Sequence, residues 1–210
     1  MVRVKICGIT NREDAIASAV LGADALGFIF YPASPRYIAP KKLKRITALI
    51  PEKIIKIGVF VNAKEKLIKN IARTCKLNML QFHGNESPQF CQRFKGFKII
   101  KSFRIKDKLD LAEIAKYKTH AYLFDTFTKT KFGGTGKSFD WRLLKDIRKL
   151  KRPIFLSGGL NAENILEAVK IVHPDWVDVA TSVEIRPGEK DYKRIREFIK
   201  KVRGLRDATG

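Results

Sequence analysis

Short apolar segments alternate along the chain with longer segments in which apolar and charged positions recur at helical spacing. The apolar segments number eight, and their first residues lie 19 to 33 residues apart. That spacing suits a strand followed by a crossover helix, and near-continuous apolar runs suit strands buried on both faces of a parallel sheet. The predicted strands are Val2–Cys7, Ala25–Phe30, Ile54–Phe60, Asn78–Phe82, Phe97–Phe103, His120–Asp125, Pro153–Ser157 and Asp175–Val179.

Eight such units in 210 residues predict an α/β fold, a single-domain (β/α)8 barrel (TIM barrel) of minimal size. An open doubly wound sheet is the main alternative, and the count of eight favours the barrel. No linker or change of composition divides the chain. We therefore predict a catalytic barrel domain over residues 1–203 and a frayed C-terminal tail over residues 204–210.

Helix starts are predicted where a capping residue precedes an apolar stripe. The capping residues are Thr10, Asn62, Ser87 and Asn161. One further stripe predicts a helix between the sixth and seventh strands. Its members are Trp141, Leu144 and Ile147.

The chain is strongly basic, with 43 Lys and Arg against 21 Asp and Glu and a net charge of +22. Such a surplus attracts both polyanions and small anionic metabolites. The basic residues follow helical stretches all along the chain, and no nucleic-acid-binding motif is present, so solvated helix faces are the favoured interpretation. No segment has the apolar length of a membrane helix or the pattern of a signal peptide, so a cytoplasmic location is expected.

Candidate chemistry lies where the predicted strands end, because barrel active sites are built at the carboxyl ends of the strands. Cys7 ends the first strand and is either a base or a small buried hydrophobe. Arg36 follows the second strand in a proline-stiffened loop, although an ordinary surface arginine is the alternative. His83 follows the fourth strand, where a hydrogen-bonded structural role is favoured over metal binding. Asp125 ends the sixth strand and is either functional or a turn cap.

Glycine-rich segments suggest where a phosphate binds. Gly158 and Gly159 follow the seventh strand, where barrels often bind phosphate through backbone N–H groups, although a simple tight turn is the alternative. The segment 133–138 ends like a nucleotide P-loop, but Lys131 occupies the position where that pattern needs a glycine. Three cysteines without metal-ligand spacing argue against a disulfide framework or a zinc site.

Several blocks, taken in order from the first strand to the last, resemble the phosphoribosylanthranilate isomerase family of tryptophan biosynthesis. The blocks are Lys5–Thr10, Gly27–Phe30, Ser34–Arg36, Gly58–Asn62, Gln81–Gly84, Gly133–Gly136 and Leu156–Leu160. The resemblance implies an Amadori rearrangement of N-(5-phosphoribosyl)anthranilate to 1-(2-carboxyphenylamino)-1-deoxyribulose 5-phosphate by acid–base catalysis. It implies no cofactor and no metal. The expected partner is the phosphorylated substrate, and the chain is expected to be a monomer or a homodimer.

The resemblance also implies roles for individual residues. Cys7 is expected to be the general base, Asp125 the general acid, and Arg36 the group that holds the anthranilate carboxylate. Phosphate binding is expected in the glycine loops and in the loop after the eighth strand. The expected phosphate residues are Gly134, Gly158, Gly159, Thr181 and Ser182. Asp178 is expected either to contact the anthranilate amino group or to serve strand packing.

One departure from the family pattern lies in the predicted phosphate loop. After the eighth strand the family reads Val-Asp-Val-Ser-Ser-Gly-Val-Glu, whereas this chain has Ala180 in place of a serine and Ser182 in place of the glycine. A serine at a position that required positive φ would be strained. We therefore expect residue 182 to be unstrained and its hydroxyl to replace the lost contact.

Overall fold

The structure, a computed structural model, describes residues 1–106, 109–126 and 140–204. Eight parallel strands form a closed barrel in sequence order, and β1 pairs with β8 to complete the ring. The strands are β1 (Arg3–Cys7), β2 (Ala25–Ile29), β3 (Ile55–Phe60), β4 (Met79–Phe82), β5 (Lys98–Ile105), β6 (Ala121–Thr126), β7 (Ile154–Leu156) and β8 (Trp176–Val179). Each lies within or across a predicted apolar segment, so the predicted (β/α)8 barrel is confirmed.

The inner face of the barrel changes from apolar to polar along the strands. Near the strand starts an apolar cluster fills the interior, and within it Phe155 and Trp176 stack with ring centroids 4.9 Å apart. The buried members are Ala25, Ile57, Met79, Ile100, Ala121, Leu123, Phe155 and Trp176. Because strand side chains alternate between faces, residues two positions further along point inward as well. At several of these positions the chain has polar residues, so one end of the barrel is sealed and the other is polar.

Helices surround the barrel, although their lengths differ widely. They are α1 (Arg12–Val20), α2 (Pro40–Thr47), α3 (Glu65–Thr74), α4 (Pro88–Cys91), α5 (Leu111–Ala115), α6 (Ile165–Val172) and α7 (Tyr192–Gly204). Helix α7 ends at Gly204, and residues 205–210 of the predicted tail lie outside the described residues. Within the described ranges, no helix has both the length and the apolar character needed to cross a membrane.

The predicted helix between β6 and β7 is replaced by two short 3-10 helices, Trp141–Leu144 and Ile147–Leu150. The apolar residues recur here at every third position, which matches the three residues per turn of a 3-10 helix as well as one spacing of an α-helix. Lys151 then takes a left-handed conformation with φ 50° and ends the second turn.

The predicted helix starts are only partly correct. Ser87 caps α4 as predicted, and its hydroxyl accepts a hydrogen bond from Phe90 N at 3.1 Å. The capping residue of α1 is Asn11 rather than Thr10. Asn62 has φ 50° and caps no helix, because its Oδ1 accepts a hydrogen bond from Asn85 N instead.

A small hairpin that the sequence pattern did not predict follows the last barrel strand. A 3-10 turn (Thr181–Val183) leads into β9 (Glu184–Arg186), which pairs antiparallel with β10 (Glu189–Lys190). The hairpin begins at the carboxyl end of β8, so it brings its charged side chains to the polar mouth of the barrel.

Candidate active site

A cavity of about 250 Å³ opens at the carboxyl ends of β6, β7 and β8. The lining residues are Asp125, Ser157, Gly158, Gly159, Leu160, Asn161, Asp178, Val179, Ala180, Thr181 and Ser182. Six predicted site residues are therefore brought together here: Asp125, Gly158, Gly159, Asp178, Thr181 and Ser182. Cys7 and Arg36 are not among the lining residues. Arg36 contacts the cavity wall at Thr181, and Cys7 lies beside Lys5, which binds Asp178 of the wall. Gly134 lies outside the described residues.

Asp125 is held at the end of β6 with little exposure to solvent. Its Oδ1 accepts a hydrogen bond from Thr126 N at 2.8 Å, and its Oδ2 lies 3.3 Å from His83 Nε2. His83 Nδ1 is in turn 3.0 Å from Gln81 Nε2. The prediction of a hydrogen-bonded His83 is thus correct, and the ring also faces the carboxylate of the candidate acid.

Gly158 sets the distance between β7 and Asp125. Its φ is 87°, and a Cβ added there would lie 2.6 Å from Thr126 N and 2.9 Å from Asp125 Oδ1. Only glycine satisfies both the backbone conformation and the close approach. The position therefore does more than form a tight turn, because it lets the loop after β7 pass directly beside the candidate acid.

The loops after β7 and β8 present backbone N–H groups to the cavity. Among the described residues, the N–H groups of Gly159, Leu160, Thr181 and Ser182 find no protein acceptor. Ser182 Oγ donates to Leu160 O at 2.6 Å, which ties the two loops together. The positive-φ residues do not include Ser182, so the expectation of an unstrained backbone there is correct.

Cys7 lies at the end of β1, mostly buried, beside an ion pair inside the barrel. Lys5 donates from Nζ to both carboxylate oxygens of Asp178, each at 2.9 Å, and is itself fully buried. Burial raises the pKa of the Cys7 thiol, while the Lys5 ammonium opposes that rise. Burial lowers the pKa of Lys5, but the Asp178 carboxylate and the Cys7 thiolate together more than compensate, so the pKa is raised overall.

Arg36 is buried beneath the hairpin and bound by a carboxylate. Its Nε donates to both oxygens of Glu184 at 3.0 Å, and its Nη2 donates to Oε2 at 2.6 Å. Nη2 also contacts Thr181 Oγ1 at 3.3 Å, on the wall of the cavity. Gly8 makes room for this arginine, since a Cβ there would lie 2.6 Å from Arg36 Cδ. Arg36 is thus not an ordinary surface residue.

Lys190 connects the hairpin to the end of β1. Its Nζ donates to the carbonyl of Cys7 at 2.6 Å and to Glu184 Oε1 at 2.8 Å. Sequence reasoning missed Lys190, Glu184 and Lys5 as members of the site. Lys5 offered one signal, a cation in the middle of the apolar segment Val2–Cys7, but neither hairpin residue stands out in its polar surroundings.

Comparison with known proteins matches this arrangement to one family. The family model described as N-(5'phosphoribosyl)anthranilate (PRA) isomerase matches residues 4–201. The chain belongs to this family. A relative from Trichlorobacter lovleyi, named N-(5'-phosphoribosyl)anthranilate isomerase, is 40% identical over 203 residues, which cover 97% of this chain and 98% of the relative.

Solved structures of the isomerase agree with the assignment. The crystal structure of the Thermotoga maritima enzyme superposes with a TM-score of 0.92 at 42% identity and covers 98% of this chain and 100% of its own. Another solved isomerase, in complex with reduced 1-(o-carboxyphenylamino)-1-deoxyribulose 5-phosphate, has a TM-score of 0.88 at 41% identity, with the same coverage. The chain is therefore an isomerase of tryptophan biosynthesis that acts on phosphoribosylanthranilate, as the sequence resemblance implied.

Proposed function

We propose that Asp125 and Cys7 are the general acid and general base of this rearrangement. The observation that carries the proposal is the position of Asp125 beside a cavity lined with N–H groups that find no acceptor in the described part of the chain. Asp178 lines the same cavity and links it, through Lys5, to the strand that carries Cys7. An acid and a base on different strands can act on one small substrate that is anchored by its phosphate.

The reaction begins with Asp125 in its protonated form. Its proton goes to the ribose ring oxygen, the bond from that oxygen to C1 breaks, and the anthranilate nitrogen supplies the electron pair that forms an iminium. The Cys7 thiolate then takes the C2 proton, and the C–H electron pair forms the C1–C2 double bond of an enolamine. The enolamine tautomerises to the ketone. A proton that passes through solvent from the thiol to the carboxylate restores the enzyme.

The N–H groups of the loops after β7 and β8 suit the phosphate of the substrate. A dianion is stabilised where several backbone N–H groups point to one place, and Thr181 and Ser182 open a 3-10 turn whose first N–H groups have no partner within the turn. The bond from Ser182 Oγ to Leu160 O keeps the two loops at one separation. The product analogue bound by the related isomerase carries a phosphate, so this proposal fits the ligand of that protein.

Arg36 is proposed to hold the anthranilate carboxylate through the edge of its guanidinium that Glu184 leaves open. Glu184 occupies Nε and one side of Nη2, whereas Nη1 makes no hydrogen bond to the described residues. Holding one edge fixes the plane of the guanidinium, so the other edge is already oriented for a carboxylate. Asp178, whose oxygens bind Lys5, also lines the cavity and is proposed to face the anthranilate amino group.

Two substitutions test the catalytic pair. Cys7→Ala and Asp125→Asn should each lower kcat by ~10²–10⁴-fold, because a positioned base or acid is lost while the side-chain volume changes little. The assay follows the fluorescence of phosphoribosylanthranilate, and circular dichroism checks the fold. The matched controls are Cys91→Ala, a buried cysteine in α4, and Asp24→Asn, a carboxylate at the sealed end that bonds Val4 N. A folded variant of Cys7 or Asp125 with a kcat like that of its control would refute its role.

We further propose that residues 1–203 act as one catalytic domain in the cytoplasm. Continuous pairing from β1 round to β8 supports the single domain, since the first and last strands are neighbours. Limited proteolysis of the folded protein checks the boundary, and an early cleavage between two stable halves would contradict it.

A further inference from the structure

The inner face of β1 carries a lysine and a cysteine two residues apart, and their side chains converge. A Cβ placed on Gly27 would lie 2.7 Å from Cys7 Sγ and 3.0 Å from Lys5 Cε, so both side chains reach the same point on the neighbouring strand. Gly27 pairs with Cys7 in the sheet register. The missing side chain at residue 27 is therefore what allows the lysine and the thiol to meet.

We propose that Lys5 is a positioning residue that supplies the positive charge beside the Cys7 thiolate, and that Asp178 tunes the strength of that charge. This inference rests on the proposed role of Cys7 and adds a residue that acts through it. A thiolate in a buried site is costly without a cation next to it, and a buried lysine keeps its proton only beside an anion, which is either a carboxylate or the thiolate itself. Lys5, between Asp178 and Cys7, meets both requirements.

The other charged groups near Cys7 are paired with groups of opposite charge. From the hairpin, Lys190 binds the Cys7 carbonyl and Glu184, and Glu184 is in turn bound to Arg36. The charged groups that act directly on the thiol are Lys5, Asp178 and Lys190. Asp125 and His83 act on Asp178 and so lie one step further away. Lys5 has the largest opposing influence on the raised pKa of Cys7, and the Asp178 carboxylate acts in the other direction. Because Lys5 and Asp178 act in opposite directions, substituting each of them should shift the pH at which the Cys7 thiol ionises in opposite directions.

The test measures the pH at which the Cys7 thiol ionises, by the rate of carboxamidomethylation with iodoacetamide. Mass spectrometry of the peptide that contains Cys7 separates it from the buried Cys75 and Cys91. The variants are Lys5→Met, Lys5→Arg, Asp178→Asn and the double variant Lys5→Met/Asp178→Asn. Because the readout is alkylation, it reports on the thiol whether or not Cys7 is the catalytic base.

We expect the midpoint pH to rise in the order Asp178→Asn, wild type, double variant, Lys5→Met. Between wild type and Lys5→Met the rise should be about one pH unit or more, which lowers the alkylation rate about tenfold at a pH below both midpoints. Lys5→Arg keeps the charge and should stay near wild type. The rising limb of the kcat profile should move upward together with the midpoint in Lys5→Met, while KM changes less.

Lys56→Met is the matched control. Lys56 is also a mostly buried lysine on a barrel strand, but its neighbours Ile55 and Ile57 pack toward the interior, so Lys56 points outward. In Lys56→Met the Cys7 thiol should ionise at the same midpoint pH as in wild type. If Lys5→Met does not fold, the comparison of Asp178→Asn with wild type and the double variant decides the question.

Equal midpoints in wild type and in the folded variants that lack the Lys5 charge would overturn the proposal. A shift in Lys5→Arg as large as that in Lys5→Met would also overturn it, because shape and not charge would then be responsible. If Cys7→Ala proves active while the midpoints follow the expected order, Lys5 does act on the thiol and the proposed base is wrong. The two failures are thus distinguishable.

Discussion

Replacing Gly158 by alanine should reduce activity far more than its cost in stability suggests. The change adds one methyl group at φ 87°, 2.6 Å from Thr126 N and 2.9 Å from Asp125 Oδ1. A left-handed backbone costs a non-glycine residue roughly 1–2 kcal/mol. The contacts add a second effect, because atoms this close must separate by several tenths of an ångström, and the nearest ones belong to the candidate acid and its neighbour.

The chain offers a control with the same backbone conformation and an empty environment. Gly96 has φ 88°, and a Cβ added there would meet nothing within 4 Å. Gly96→Ala should therefore show the backbone cost alone, a loss of about 1–2 kcal/mol in the free energy of unfolding, with kcat unchanged. For a chain of this size that loss corresponds to a fall in Tm of roughly 2–8 °C.

The comparison of the two variants isolates the effect of the close approach. Gly158→Ala should lose at least as much stability as Gly96→Ala, and its kcat should fall about 10²-fold, the size of effect that a misplaced catalytic group produces. Urea unfolding gives the free energies, and the fluorescence assay gives kcat. If Gly158→Ala and Gly96→Ala turn over substrate at the same rate, Gly158 does not position Asp125 and the reasoning is refuted.

Three further predictions concern substrate binding and the hairpin. Arg36→Met should raise KM tenfold or more while the exposed control Arg142→Met leaves it unchanged, because a charge-assisted contact with the substrate carboxylate is lost; an unchanged KM contradicts the assignment. Ser182→Gly should weaken competitive inhibition by inorganic phosphate, since the bond to Leu160 O is lost; a lower inhibition constant would show the opposite. Burial raises the pKa of Glu184, but hydrogen bonds from Arg36 and Lys190 and their positive charges lower it overall. The ionised Glu184 therefore stabilises the fold above pH 4.5, and this contribution is lost as the pH falls through the lowered pKa. The unfolding free energy of Glu184→Gln should consequently depend less on pH below 4.5 than that of wild type, and equal slopes would contradict this.

The barrel strands were predictable because each is buried on both faces, so that most of its consecutive residues are apolar. The segment from Trp141 to Leu150 was not predictable in the same way. Apolar residues at every third position fit one turn of either helix type, and sequence spacing alone does not decide between them. The hairpin was missed because strands of two and three residues leave no periodic signal.

Members of the candidate site could be proposed one by one from the sequence, but the contacts between them could not. Cys7 and Asp125 could be found from their places at strand ends, combined with the family resemblance. The partners of Arg36 and Lys5 could not, because Glu184 and Asp178 lie 148 and 173 positions away along the chain. Only the closure of the barrel brings such residues into contact, and no local pattern specifies which charge meets which.

The contact between β1 and the hairpin has a consequence for how the enzyme is made. Lys190 holds the carbonyl of Cys7 across 183 residues, and Lys5 meets its partner across 173. A ribosome that has released the first strand must therefore synthesise nearly the whole chain before these charges are neutralised. Until then a lysine lies in the middle of an apolar strand with no counter-charge, which disfavours premature burial of that strand. Assembly of the polar mouth of the barrel is thus delayed to the end of translation.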